Sequence, residues 1–229
     1  DDPISLSGYV EKMPENQKDI YYISAETKDQ ALASPHLEGF KSKKIPVLIM
    51  TDAIDQFWLP MVGSFKEKKF TSITQGQINL DDLDEKNKDK KKDDKNEKEK
   101  KDKEYVDLVA QLKVVLGDQV KDIRLSSKLT DSPVCLVADE GDMDIAMEQL
   151  MAQRDTNYKG APRILEINGD HSLIKNMKSL LSKKEKNDLV SDAGTLLFEQ
   201  ARLMEGKMPA DPAQFSKIMN QFLLKAIPN

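Results

Sequence analysis

The stretch Asp84-Glu85-Lys86-Asn87-Lys88-Asp89-Lys90-Lys91-Lys92-Asp93-Asp94-Lys95-Asn96-Glu97-Lys98-Glu99-Lys100-Lys101-Asp102-Lys103-Glu104 decides how this chain folds. Its twenty-one residues comprise ten lysines, nine acids and two asparagines, with no apolar side chain among them. Such a segment cannot offset the entropy of its own ordering by burial. It is expected to be a charged linker or a solvated helix over 84–104. It divides the chain into residues 1–83 and 105–229, and each part must find its own core.

Upstream, the pattern predicts a small parallel sheet. Asp1 to Asn16 is polar, carries Pro3 and Pro14, and reads as an entry segment. Ile20-Tyr21-Tyr22-Ile23 has the β-branched and aromatic character of a strand. Thr27 to Ala33 begins a helix that Ser34-Pro35 resets, with Ser as N-cap and Pro in the first turn. Ile45 to Met50 is a continuous apolar run, as in a strand covered on both faces. Asp52 to Val62 predicts a short helix that Pro60 distorts or ends. Phe70 to Ile73 is a third strand. Strand, helix, strand, helix, strand makes a βαβαβ unit of α/β type.

Downstream, the elements are mixed α+β. Acid-to-lysine pairs at i,i+4 (Asp94 with Lys98, Glu97 with Lys101, Glu99 with Lys103) support a solvated helix leading into the next one. There, Tyr105, Leu108, Val109, Leu112 and Leu116 recur at helical spacing and Gly117 is the stop. Val120 to Ser126 and Val134 to Ala138 read as strands, with turn residues from Lys128 to Pro133. Asp142 to Gln153 is an amphipathic helix and Arg163 to Ile167 a strand. Asp170 is expected to cap a helix through Ser182, with Leu173, Ile174, Met177, Leu180 and Leu181 inward. Asn187 to Glu205 is a longer helix closed by Gly206 and Pro209. Asp211-Pro212 opens the last one, with Asp as N-cap and Pro at the first position.

Composition narrows function. A net charge of −5 shows that the lysine run does not make the protein basic. Its interleaved acids repel phosphate and no aromatic residue is available for base stacking, which disfavours a nucleic-acid-binding protein as the alternative reading. No apolar run approaches the roughly 20 residues that span a bilayer, and no signal peptide is visible. The chain opens on Asp1-Asp2-Pro3 without an initiator Met, and a fragment of a longer protein is expected. Cys135 is the only cysteine. It sits in the apolar run Val134-Cys135-Leu136-Val137, which predicts a buried inert thiol in a reducing compartment rather than a thiol enzyme. His36 and His171 lie at predicted helix starts, outside any metal or triad spacing, and are expected in surface or capping roles. The ten glycines form no phosphate-binding loop.

Three surfaces are candidates for contact with other proteins. Met143, Met147, Leu150 and Met151 fall on one helical face; a core face and a surface accepting varied partners both fit, since thioethers re-pack easily. Gln56-Phe57-Trp58 places the only Trp beside a Phe, which suits local packing on the sheet or an aromatic contact point. Leu196, Leu197 and Phe198 are adjacent and span a wide arc. With Ala201, and with Phe215, Met219, Phe222 and Leu223 on the last helix, they suggest a subunit interface.

Five motifs in order carry a resemblance across nearly the whole chain. They are Tyr21-Tyr22-Ile23, Ser34-Pro35-His36-Leu37-Glu38, Val47-Leu48-Ile49-Met50-Thr51-Asp52 with Ile54-Asp55, Leu129-Thr130-Asp131-Ser132-Pro133, and Leu165-Glu166-Ile167-Asn168 with Asp170-His171. Together they resemble the ninety-kilodalton heat-shock chaperones, the bacterial HtpG type in particular. The resemblance implies that 1–83 is the end of a middle domain and 105–229 a dimerisation domain. It implies that the last two helices build a four-helix bundle with a second copy. It implies that Met143, Leu150 and Met151, with Gln56 and Phe57, line a cleft for non-native client proteins. Gln56 stands where members often carry an acid, and Trp58 and Pro60 also depart from much of the family. The expected function is that of the C-terminal fragment of an ATP-dependent chaperone. The fragment itself would not be an enzyme and would hold no cofactor. ATP and magnesium would belong to an N-terminal domain upstream. The partners would be itself and client proteins, without nucleic acid or membrane. The ending Ile227-Pro228-Asn229 lacks an acidic tail and a retention signal, which implies the bacterial cytoplasm or a bacterial-derived organelle.

Overall fold

The structure, a computed structural model, describes residues 3–80, 99–155, 158, 160–182 and 187–227. Residues 84–98 of the charged run, and with them the expected pairs Asp94 with Lys98 and Glu97 with Lys101, lie outside the described residues; 99–104, which include Glu99 and Lys103, are helical. The chain is mixed α+β and forms two compact units. Unit 1 gathers the described residues within Asp1–Asp94, Ser127–Asp131 and Val137–Ala161, and unit 2 those within Lys95–Ser126, Ser132–Leu136 and Pro162–Asn229.

In unit 1, β1 (Ile20–Ser24) lies between β2 (Leu48–Met50) and β4 (Lys68–Ser72), parallel to both. The short β3 (Ser64–Phe65) adds an antiparallel edge to β4, giving the order β2-β1-β4-β3. The β3–β4 turn is Lys66-Glu67, both at positive φ (49° and 62°), as a two-residue type I′ hairpin requires. Alternate residues of β1 face opposite cores. Tyr21 and Ile23 pack with Leu37, Phe40, Ile73 and Leu80; Ile20 packs with Tyr9, Leu59 and Phe70.

The entry segment is partly helical. Leu6–Glu11 forms α1, capped by Ser5 Oγ accepting from Gly8 N at 3.1 Å. Leu6, Tyr9, Val10 and Met13 all join the core around Ile20. Tyr9 is buried, donates through its hydroxyl to Pro46 O (2.6 Å) and accepts from Gln17 Nε2 (2.9 Å). Further on come α2 (Lys28–Leu32, capped by Thr27), a 3₁₀ turn over Pro35–Leu37 capped by Ser34, and α3 (Glu38–Ser42). His36, expected at the surface or as a cap, is buried, because the turn faces the core of Leu37 and Phe40. α4 (Asp55–Val62) begins three residues later than expected, contains Pro60 and ends at Gly63, whose φ is 70°.

Two motifs far apart in sequence meet in this unit. Glu38 Oε2 accepts from Thr130 N and Asp131 N, both at 2.8 Å. Beside them, Lys128 is buried, with Nζ donating to Ile73 O at 3.0 Å, and Ser127 Oγ donates to Ile78 O at 2.8 Å.

Unit 2 is built on α5 (Val106–Leu116), β5 (Val120–Leu125), β6 (Val134–Val137), β7 (Arg163–Ile167), α7 (Ser172–Ser182), α8 (Asn187–Met204) and α9 (Pro212–Ala226). The sheet order is β5-β7-β6, with β5 and β7 parallel, so β7 separates two strands that are consecutive in sequence order. Tyr105, Leu108, Leu112 and Leu116 form the buried stripe of α5, and Gly117 (φ 50°) ends it. Asp170 does not cap α7. His171 does, its Nδ1 accepting from Leu173 N at 3.2 Å, while Asp170 pairs with Lys101 and Lys175. Leu173 points outward, 38% exposed, while Ile174 and Met177 are buried. Asp211 caps α9 through Gln214 N at 2.9 Å.

Candidate functional site

The two stretches read as contact surfaces upstream and downstream of the charged run both fall in unit 1. On α4, Gln56, Phe57 and Trp58 are half-buried. Trp58 is held: its Nε1 donates to Asp55 Oδ1 at 2.7 Å and its ring meets Phe70 edge-on, 5.6 Å between centroids. The same short helix leaves Ile54, Met61 and Val62 exposed. Met61 and Val62 carry no periodic signal in the sequence, because Pro60 interrupts the helical pattern just before them.

The second stretch forms α6 (Ile145–Arg154). Its cap is Asp144, so Met143, also exposed, precedes the helix instead of starting it. Met147, Leu150 and Met151 are half-buried, while Ile145 and Glu148 are buried. Polar anchors hold the helix. Asp144 Oδ1 accepts from Ala146 N at 3.0 Å. Asp144 Oδ2 accepts from Ser72 Oγ at 2.6 Å, at the end of β4, and from Thr74 Oγ1 at 2.8 Å, two residues beyond it. Glu148 Oε2 accepts from Ala161 N at 3.1 Å, and Gln153 Nε2 donates to Glu26 Oε1 at 2.8 Å. Gln75 Nε2 donates to Asp142 O at 2.7 Å. Burial, and after it the Asp144 carboxylate, pushes the Tyr22 phenol up to about 12.

In unit 2, Leu197, Phe198 and Ala201 of α8 are buried in the chain's own core, and Leu196 is half-buried. The last helix is different. Ile218 is buried and Phe215 and Phe222 are half-buried, but Met219, Leu223, Leu224 and Ile227 are 39–77% exposed. Leu203, Met204 and Met208 are exposed as well.

Cys135 is buried, with Sγ 3.9 Å from Glu166 Oε2, and that carboxylate is engaged by Arg124 (2.8 and 3.0 Å) and Ser126 Oγ (2.8 Å). Where the charged run is described, Lys101 pairs with Asp170, so its charge is met by an acid; this lends nothing to the nucleic-acid reading. Among the described residues, no three His, Cys, Asp or Glu side chains are grouped to hold a metal ion, and no helix is long and apolar enough to cross a membrane.

Known proteins match this sequence over nearly its whole length. A model of the Hsp90 protein family matches residues 1–228. The chaperone protein HtpG of Roseobacter denitrificans is 41% identical over 228 residues, covering 99% of this chain and 36% of that protein. HtpG of Streptomyces coelicolor is 36% identical over 219 residues, 96% of this chain and 33% of that protein. HtpG of Wolbachia pipientis is 37% identical over 230 residues, 97% of this chain and 34% of that protein. The chain spans about a third of the length of the curated relatives it matches. A family match reaching all but the last of 229 residues, with bacterial relatives that each cover nearly the whole chain, leaves one conclusion: this chain belongs to the Hsp90 protein family, alongside the bacterial HtpG chaperones.

Proposed function

We propose that this chain is the C-terminal part of an ATP-dependent cytoplasmic chaperone, where it holds two copies together and offers a surface to non-native proteins. Residues 1–83 complete a middle domain, 84–104 link, and 105–229 dimerise. ATP and magnesium act in a domain elsewhere in the longer protein; this chain turns over no ATP. The observation that carries the reading is the exposed face Met219-Leu223-Leu224-Ile227. An apolar face of this kind marks an interaction site, and an isologous pairing buries the same face twice. Leu196, Leu197, Phe198, Ala201, Phe215 and Phe222 lie behind or beside that face and complete a four-helix bundle with the partner. The client surface comprises Gln56, Phe57 and Trp58 with Met143, Met147, Leu150 and Met151. Its half-exposed thioethers suit clients of varied shape, because they re-pack at low cost. Each contact is weak, so two copies in a dimer act by avidity.

One experiment tests both halves. The chain should sediment as a dimer at micromolar concentration and bind carboxymethylated α-lactalbumin, a permanently unfolded protein. Leu150→Ser with Met151→Ser should weaken that binding and leave the dimer intact. A monomer refutes the assembly reading. Unchanged binding by the double variant refutes the client reading.

A further inference from the structure

We infer that Asp144 is a positioning residue: its carboxylate clamps α6 to the end of β4 and so sets the orientation of the Met147-Leu150-Met151 face. The inference rests, for the use of that face, on the client-binding reading above; the clamp itself rests on geometry. One carboxylate does two jobs. Oδ1 caps the helix by accepting from Ala146 N at 3.0 Å, and Oδ2 takes both hydroxyls, Ser72 Oγ at 2.6 Å and Thr74 Oγ1 at 2.8 Å. The two hydroxyl oxygens lie 2.8 Å apart, and since each carries one proton, both are spent when both donate to Oδ2. Ser72 is fixed in turn, being the strand residue opposite Tyr22 in the β1–β4 ladder, and both Ser72 and Thr74 are buried. The cap is thus tied to the central pair of strands of unit 1, β1 and β4. An N-cap that bonds only its own helix would hold α6 helical without fixing where it points. Here the second oxygen supplies that fix. The backbone supports the same register, since Ala138 N donates to Thr74 O at 2.9 Å and Gly76 N to Ala138 O at 2.8 Å. So α6, which lies downstream of the charged run, is oriented by a sheet that lies upstream of it.

Three variants of the full chain test this, read by amide exchange over Ile145–Met151 and by affinity for carboxymethylated α-lactalbumin. Asp144→Ala should speed exchange of the first-turn amides by between about twofold and thirtyfold, the range for a lost N-cap, and weaken binding several-fold. Asp144→Asn should restore both to near wild type. Its amide oxygen can cap Ala146 N, and its NH₂ can donate to Ser72 and Thr74, whose hydroxyls turn to accept. Ser72→Ala with Thr74→Ala keeps the cap and removes the clamp; it should leave first-turn exchange within about twofold and still weaken binding. Dimerisation should be unchanged in all three. Exchange unaffected by Asp144→Ala overturns the cap and with it the double role of the carboxylate. Unchanged binding by the Ser72/Thr74 variant, where Leu150→Ser with Met151→Ser does weaken it, overturns the positioning role and leaves the client reading standing. If neither pair weakens binding, the client reading itself has failed.

Discussion

Gly39 gives the sharpest test of the packing in unit 1. It lies in α3 and is buried. A Cβ built there would sit 2.6 Å from Leu80 Cδ1, 2.6 Å from Lys128 O and 3.1 Å from Lys128 Cα. Leu80 can rotate away, but Lys128 O is backbone. That backbone is held on three sides, by Ser127 Oγ on Ile78 O, by Lys128 Nζ on Ile73 O, and by Glu38 on the amides of Thr130 and Asp131. Overpacking costs about 1–3 kcal/mol, and replacing Gly by Ala in a helix returns roughly 1 kcal/mol. The net loss for Gly39→Ala is therefore about 0–2 kcal/mol, and toward the upper end if the Lys128 carbonyl cannot give way. For a unit of this size a loss at the upper end lowers the midpoint by roughly 4–8 °C. Trp58 is the only tryptophan and lies in unit 1, so thermal unfolding followed by its fluorescence reports this unit alone. Gly141→Ala is the control, because nothing lies within 4 Å of its Cβ position; it should stay within about 0.5 kcal/mol of wild type. A Gly39→Ala variant as stable as wild type, or more so, refutes the view that the 127–131 segment is rigidly held.

Two further outcomes concern titration. Burial, with Asp19 beside Tyr21 and Asp144 beside Tyr22, pushes both phenols up to about 12. The folded state keeps these protons above the usual value near 10, so stability falls as pH rises from about 10 toward 12. Absorbance at the tyrosinate band should therefore lag in the folded protein, and complete ionisation of every tyrosine near pH ~10 without unfolding would contradict this. The second outcome concerns the ion pairs that seat residues 99–104 on unit 2. Lys101 holds the Asp170 carboxyl, and Lys178 the Glu104 carboxyl, below the usual carboxylate range. Depressed values contribute at neutral pH and are lost as pH falls below about 4 through the folded values. The groups are exposed, so salt also screens them. Amide exchange over 99–104, corrected for its intrinsic pH dependence, should speed up at pH ~3 and in ~1 M salt; indifference to both would show that Tyr105 packing alone seats the segment.

What could be read from sequence was what local chemistry determines. The three parallel strands announce themselves by β-branched, aromatic and apolar runs, and Thr27, Ser34, Gly117 and Asp211-Pro212 mark helix ends that the structure keeps. What escaped depends on partners distant in the chain or on weak local signals. α1 was hidden because Pro3, Pro14 and many polar residues dominate a stretch whose four core residues are spaced three and four apart. β3 was hidden because its turn is Lys66-Glu67, without the Asn or Gly that usually marks positive φ. The pairing of Glu38 with 130–131 comes from contacts about ninety residues apart. At the start of α7 two adjacent polar residues competed for the cap, and the acid was taken up by Lys101 instead.

Helix α6 is where periodicity misleads most, and its anchors say why. Apolar residues at i, i+4, i+7 and i+8 ordinarily mean a face turned to the core. Here the attachment comes from the opposite chemistry. Asp144 binds two hydroxyls and an amide, Glu148 is buried against the backbone of Ala161, and Gln153 reaches Glu26. Gly160 makes room for Glu148: at φ 69° it lies so close that a Cβ would fall 2.5 Å from Oε1. A helix fastened by Ile145 and these polar groups does not need its thioethers for attachment, and Met147, Leu150 and Met151 are left half-exposed. Hydrogen bonds fix direction more tightly than apolar contact does, since they weaken steeply once the donor is misaligned. The arrangement thus combines a rigid mounting with a compliant face, which a purely apolar attachment of the same helix would not provide.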